Sequence, residues 1–155
     1  MNYEIPVPLK QEHEALHDQL RQATQAGGEV GELADALARL MHPHFVKENQ
    51  IALPPLGLLA ALAHGDATPE MAGVLALTDR LEAELPTMLA EHQAINDALQ
   101  RLRDAAQRAG RSEIVDFAQQ LKQHARTEEE VMYPAAILVG KFVRQRLGQP
   151  MSAAQ

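Results

Sequence analysis

A histidine followed four residues later by a glutamate occurs twice in this chain, as His44-Phe-Val-Lys-Glu48 and as His124-Ala-Arg-Thr-Glu128, eighty positions apart. Each copy reaches a proline ten residues after its histidine, Pro54 in the first and Pro134 in the second. The match extends upstream, where Glu12-His13-Glu-Ala-Leu reads against Glu91-His92-Gln-Ala-Ile, so a lone histidine precedes each pair, by 31 residues in one case and 32 in the other. One unit, used twice, thus supplies four histidines and two carboxylates. A chain built this way is expected to fold as two similar halves.

The spacing of the apolar residues says what those halves are. Leu and Ala dominate, aromatic residues make up only 3% and β-branched residues are few, and the apolar positions recur near every 3.6 residues, which favours helix over strand. The expected architecture is all-α: an antiparallel up-and-down four-helix bundle made of two repeated helical hairpins. At 155 residues the chain reads as a single domain, 1–155, with a core over about 9–140 and a C-terminal tail over 141–155.

Taken in order, Pro6 and Pro8 lead into a first helix marked by Leu9, His13, Leu16 and Leu20, which stops at Gly27-Gly28. A second helix places Leu33, Leu37, Leu40, His44, Glu48 and Ile51 on one face and ends at Pro54-Pro55. A short apolar helical piece, Leu56 to Ala63, precedes a turn-rich boundary from His64 to Pro69. The stretch from Pro69 to Ala109 exceeds an ordinary globular helix and contains Pro86. It is therefore expected to divide near Glu84 to Pro86 into a connecting helix and a third helix bearing Leu89, His92, Ile95, Leu99 and Leu102. Ser112 is the expected N-cap of a fourth helix carrying Val115, Leu121, His124 and Glu128, with a kink or end at Pro134. From Gly140 the tail is basic and amphipathic, and Gly148 to Gln155 is expected to fray.

Residues four apart on a helix are neighbours, so His44 can present its ring beside Glu48, and His124 beside Glu128. An ionised glutamate in the middle of an apolar face costs several kcal/mol unless it is paired or binds a metal. Here two such glutamates stand at equivalent positions. If the inward faces of four helices meet at one level, His13, His44, Glu48, His92, His124 and Glu128 form a shared metal site, the ligand set that bundles use for paired iron or manganese. With two imidazoles per ion and both carboxylates bridging, each ion has about four protein ligands and, if roughly octahedral, about two open positions for water, oxo, O2, NO or peroxide. Two divalent ions in this set stay net positive, which favours an oxo or hydroxo bridge.

At these residues the chain resembles the hemerythrin-like, or HHE cation-binding, domains. The resemblance spans about His13 to Pro134 and rests on the Glu-His pairs of His13 and His92, on HPHFVKEN from His42 to Asn49, and on HARTEE from His124 to Glu129. It implies a four-helix bundle around a non-haem di-iron centre, with the four histidines as terminal ligands and the two glutamates as bridges. Oxygen-carrying hemerythrins add a fifth histidine through a His-x-x-x-His pair on the third helix, whereas Met88 and Asn96 stand four either side of His92. That departure argues against reversible oxygen transport and toward the branch associated with NO handling, oxygen or peroxide chemistry and repair of iron–sulfur centres. His17, four after His13, offers a nitrogen from helix 1 but reads rather as a surface or outer-shell residue.

The remaining candidates are weaker. His42 lies two residues from His44 and faces away; His64 sits in a turn. Tyr133, one turn beyond Glu128, could face the site but reads rather as a bundle-end residue with its hydroxyl in water. Carboxylates near the ligands, Glu12 and Glu91 among them, are candidates to hold the free ring N–H groups. With no cysteine the chain has no disulfide, thiolate metal site or Cys nucleophile, and it lacks both a Gly-x-Ser-x-Gly elbow and a phosphate-binding glycine loop. The formal charge of −7 and the lack of a basic cluster disfavour nucleic acid and anionic membranes as partners. The N-terminus lacks a signal-like pattern, so a soluble, cytoplasmic protein is expected. The reading is a di-iron protein, possible oxidoreductase, that binds or reduces O2, peroxide or NO using an external electron donor. The alternative is a sensor or iron store without turnover. Manganese or zinc could take the place of iron.

Overall fold

In the computed structural model, which describes residues 3–148, every regular element is helical. α1 (Val7–Thr24) begins in the extended Pro6, with Pro8 in its first turn where a missing N–H costs nothing. Just beyond its end the chain reverses at Gly27 and Gly28, both at positive φ (72° and 58°). α2 (Gly28–Lys47) returns antiparallel and opens at Glu48–Ala52 into a π turn, closed by the Leu53 N–H donating to the Glu48 carbonyl at 3.0 Å. A 3-10 turn (Pro54–Leu58), the short α3 (Leu59–Ala63) and a second 3-10 turn (Pro69–Gly73) lead to α4 (Val74–Arg108). After Gly110, at φ 69°, α5 (Ser112–Thr127) runs back. It opens into a second π turn over Glu128–Met132, then continues as α6 (Tyr133–Arg146).

Both π turns start at the glutamate of a His-x-x-x-Glu pair and end before a proline. A proline ring presses on the carbonyl four residues back and brings no N–H to it. Opening the preceding turn by one residue relieves that clash and leaves the glutamate at the wide point of the helix, a recurrent setting for functional side chains.

Two expectations fail. Pro86 does not divide the third helix: α4 is continuous for 35 residues with the proline inside it. An interior proline costs about 3 kcal/mol. Leu81 and Met88 flank it and are fully buried in one apolar cluster, and two such side chains contribute roughly 1.5–3 kcal/mol each. Packing outweighs the local penalty. Ser112 is the first residue of α5 rather than its cap; Arg111 takes the cap position and no side chain closes it. The amphipathic stretch after Gly140 is the end of α6, while the expected fraying falls mostly on residues 149–155, outside the described residues.

Two apolar blocks of the core bracket its polar residues, besides a third that joins Leu58, Leu62, Met71, Val74, Val139 and Val143. One, near the glycine turns, joins Leu16, Leu20, Leu37, Leu99, Leu102 and Leu121 from all four long helices. The other, at the opposite end, joins Ile51, Leu53, Leu81, Met88, Tyr133 and Ala136. Along every helix the His and Glu residues fall between the two, so a polar layer is sealed above and below by hydrocarbon.

Candidate metal centre

All six expected residues, His13, His44, Glu48, His92, His124 and Glu128, meet in this layer, each buried. α1 supplies His13, α4 supplies His92, and α2 and α5 each end on a His-x-x-x-Glu. The nitrogens sort into two pairs. His44 Nε2 lies 2.9 Å from His92 Nε2 and 2.9 Å from Glu48 Oε1, and His92 Nε2 is 3.5 Å from Glu128 Oε1. On the other side, His13 Nε2 lies 3.5 Å from Glu48 Oε2 and 3.4 Å from Glu128 Oε2, and His124 Nε2 is 3.3 Å from Glu128 Oε2. Each carboxylate therefore turns one oxygen to each histidine pair. His44, Glu48, His92 and Glu128 form one group able to hold a metal ion, and His13, His124 and Glu128 another.

The opposite ring nitrogens face outward to carboxylates. His44 Nδ1 meets Glu91 Oε2 at 2.7 Å, His92 Nδ1 meets Glu129 Oε1 at 2.9 Å, and His124 Nδ1 meets Glu12 Oε1 at 2.9 Å. An ionised carboxylate only accepts, so these Nδ1 atoms carry the protons and donate them. In the neutral rings Nε2 is then a bare lone pair. Two lone pairs 2.9 Å apart repel unless a cation lies between them, and about 3 Å is the edge of an octahedron with metal–nitrogen bonds near 2.1 Å. On the second side, His13 Nε2, His124 Nε2, Glu48 Oε2 and Glu128 Oε2 are all buried without a hydrogen-bond partner. Buried polar atoms without partners are rare and costly, and these four converge. The residues fit a metal centre.

In the metal-free chain protons substitute for part of that charge. Burial alone would lower the His92 imidazole, but the Glu128 and Glu48 carboxylates outweigh it and raise it to about 10. His124 is likewise depressed by burial yet lifted to about 9 by Glu128 and Glu12. Burial tends to raise the Glu128 carboxyl, but His124, His13 and His92 hold it well below the usual carboxylate range. Metal must displace these protons.

Tyr133 corrects the sequence reading. It is fully buried, and its hydroxyl donates to Glu48 Oε1 while lying 3.2 Å from His92 Nε2 and 3.4 Å from His44 Nε2. Burial, then the charges of Glu48 and Glu128, push its phenol above its ordinary value, so it stays protonated. Glu129, which the sequence reading leaves unnamed among the outer carboxylates, holds His92. A signal for both existed in the repeat: position 133 matches the buried Leu53, and a bound histidine needs an acceptor on its far side. His17 is half-buried against Phe45, ring centroids 6.0 Å apart, and joins neither group. His42 and His64 are exposed, and Met88 is buried in the apolar block.

The chain matches the family model described as hemerythrin HHE cation binding domain over residues 7–136. It belongs to that family. No curated protein and no solved structure gives a significant match. The family's cation-binding description and the buried His/Glu cluster both point to metal binding. Among the described residues no helix is long and apolar enough to cross a membrane.

Proposed function

We propose that this hemerythrin-family domain is a non-haem di-iron protein that binds or reduces a small oxidant, O2, peroxide or NO, drawing electrons from an external donor. The observation that carries this reading is the division of the six side chains into two imidazole pairs, with one oxygen of each glutamate turned to each pair. His44 and His92 would hold one iron, His13 and His124 the other, and Glu48 and Glu128 would bridge. Bound iron supplies redox capacity and open coordination positions.

The chain's own residues account for the rest. Glu91, Glu129 and Glu12 orient three of the imidazoles and raise their basicity. Lys47 anchors Glu91 through a salt bridge, so the His44 tether is itself tethered. Tyr133 fixes one oxygen of Glu48 and places a proton donor beside the His44–His92 pair. The apolar blocks exclude bulk water along the bundle axis. Between α1 and α5, a cleft of about 470 Å³ lined by Glu12, Leu16, Gln19, Gln123 and His124 reaches the layer from the side.

Metal content and the optical spectrum of protein from iron-supplemented cells, oxidised and reduced, test the reading. About two irons per chain with near-ultraviolet charge-transfer bands that bleach on reduction are expected, followed by consumption of peroxide or NO with a donor. Two irons without turnover would move the protein to a sensor or store. Absence of metal after reconstitution would overturn the metal reading.

A further inference from the structure

The two histidine pairs are related by the repeat, which carries α1 and α2 onto α4 and α5. His44–Glu91 maps onto His124–Glu12, and both contacts are made. His92–Glu129 maps onto His13–Asn49, and here the relation breaks. Asn49 is exposed, and His13 Nδ1 is buried without a hydrogen-bond partner although the residue is only 6% accessible. The equivalents of Tyr133 and Leu53 break it again, a hydroxyl beside the His44–His92 pair against an alkyl side chain in the matching position. The surviving tether also differs. Glu12 is 51% exposed and lines the cleft, whereas Glu91 is 29% exposed and is gripped by Lys47.

We infer that the two metal positions are inequivalent: the His44–His92 position fills first and holds its ion, while the His13–His124 position is the exchangeable one, because Asn49 stands where a carboxylate would tether His13. The inference rests on the proposed metal function. Losing an outer-shell partner typically costs 10–100-fold in metal affinity. The cleft between α1 and α5 lies on the Glu12–His124 side of that second position.

The test is an anaerobic titration of the metal-free chain, residues 1–155, with Co(II), read by its visible absorption and by bound metal after equilibrium dialysis against a chelator. Two steps separated by roughly 10–100-fold are expected, with a one-metal form surviving mild chelation. Asn49→Glu should tighten the second step about 10-fold and leave the first in place. Glu129→Gln should weaken the first step, which keeps the test decisive if the Asn49 variant fails to fold. Two ions taken up in one step of equal affinity, or a second step that Asn49→Glu leaves unchanged, would overturn the inference while leaving the di-metal reading intact. No Co(II) bound at all would remove the metal reading and this inference with it.

Discussion

The two hairpins start from nearly the same instructions and part company just after their glutamates. In both, a His-x-x-x-Glu leads into a π turn and then a proline. In the first, Pro54 is followed by Pro55 and the chain turns aside through a 3-10 turn into the short α3. In the second, Pro134 is followed by Ala135 and Ala136, the helix resumes as α6, and Tyr133 is carried back over the polar layer. A repeated local motif thus sets the geometry of the His/Glu layer, and the residues beyond it set what surrounds each half. The six side chains are symmetric; their surroundings are not.

The largest effect should come from removing what the halves share. Glu128→Ala or Glu48→Ala takes one oxygen from each pair and strands buried imidazolium charge, at a cost of about 3–5 kcal/mol in the metal-free fold. Metal analysis should show both ions depleted in either variant. A variant that kept one ion at full occupancy would show that the carboxylates do not serve both sides. Stripping the metal from the wild type comes next. At free metal about 1,000 times the dissociation constant, loading adds about 4 kcal/mol, equivalent to roughly 8–16 °C in a domain of this size. Equal melting temperatures with and without iron would count against a buried bridging pair.

Tyr133→Phe separates the halves. It removes the hydroxyl donor from the fully buried Glu48 carboxyl, and leaving a buried acceptor without its partner costs about 1–3 kcal/mol. Chemical denaturation of the metal-free variant should show a loss in that range. A loss below about 0.5 kcal/mol, the scale of an inert surface change, would mean that the hydroxyl is not holding the carboxylate. His17→Ala is the smallest expected effect, with metal content unchanged, since His17 lies outside both groups.

A pH series connects the two states. In the metal-free chain His92 and His124 are raised to about 10 and about 9, above the ~6.5 of a free imidazole. Protonation therefore favours the fold: its contribution is complete below about pH 6.5 and is lost as pH rises through about 9 and 10. The melting temperature of the metal-free protein should fall over that window. Metal affinity should move the other way and increase with pH, because each bound ion displaces protons from the same rings. A melting temperature that rose from pH 7 to pH 10 without metal would show that the carboxylates do not hold these imidazoles charged.

Much of this was legible from residues alone. Spacing of Leu and Ala near every 3.6 residues settled the helices, glycines and prolines marked most of their ends, and two registers of His-x-x-x-Glu with two lone histidines picked out the six His and Glu residues of the polar layer. Such features are periodic or local, so a linear chain displays them directly. Other features were decided only when distant segments met. Pro86 remained helical because Leu81 and Met88 found a shared apolar block, and an energy of packing is invisible to a rule about proline. The partition of His44 with His92 and of His13 with His124 depends on which helices are neighbours. Tyr133 and Glu129 act on residues 85 and 37 positions away, and the absence of a partner for His13 shows only against a contact made in the other half. Sequence determined which groups would be buried together; tertiary structure decided how each is held, because hydrogen bonds and exposure belong to pairs of elements and not to a position in the chain.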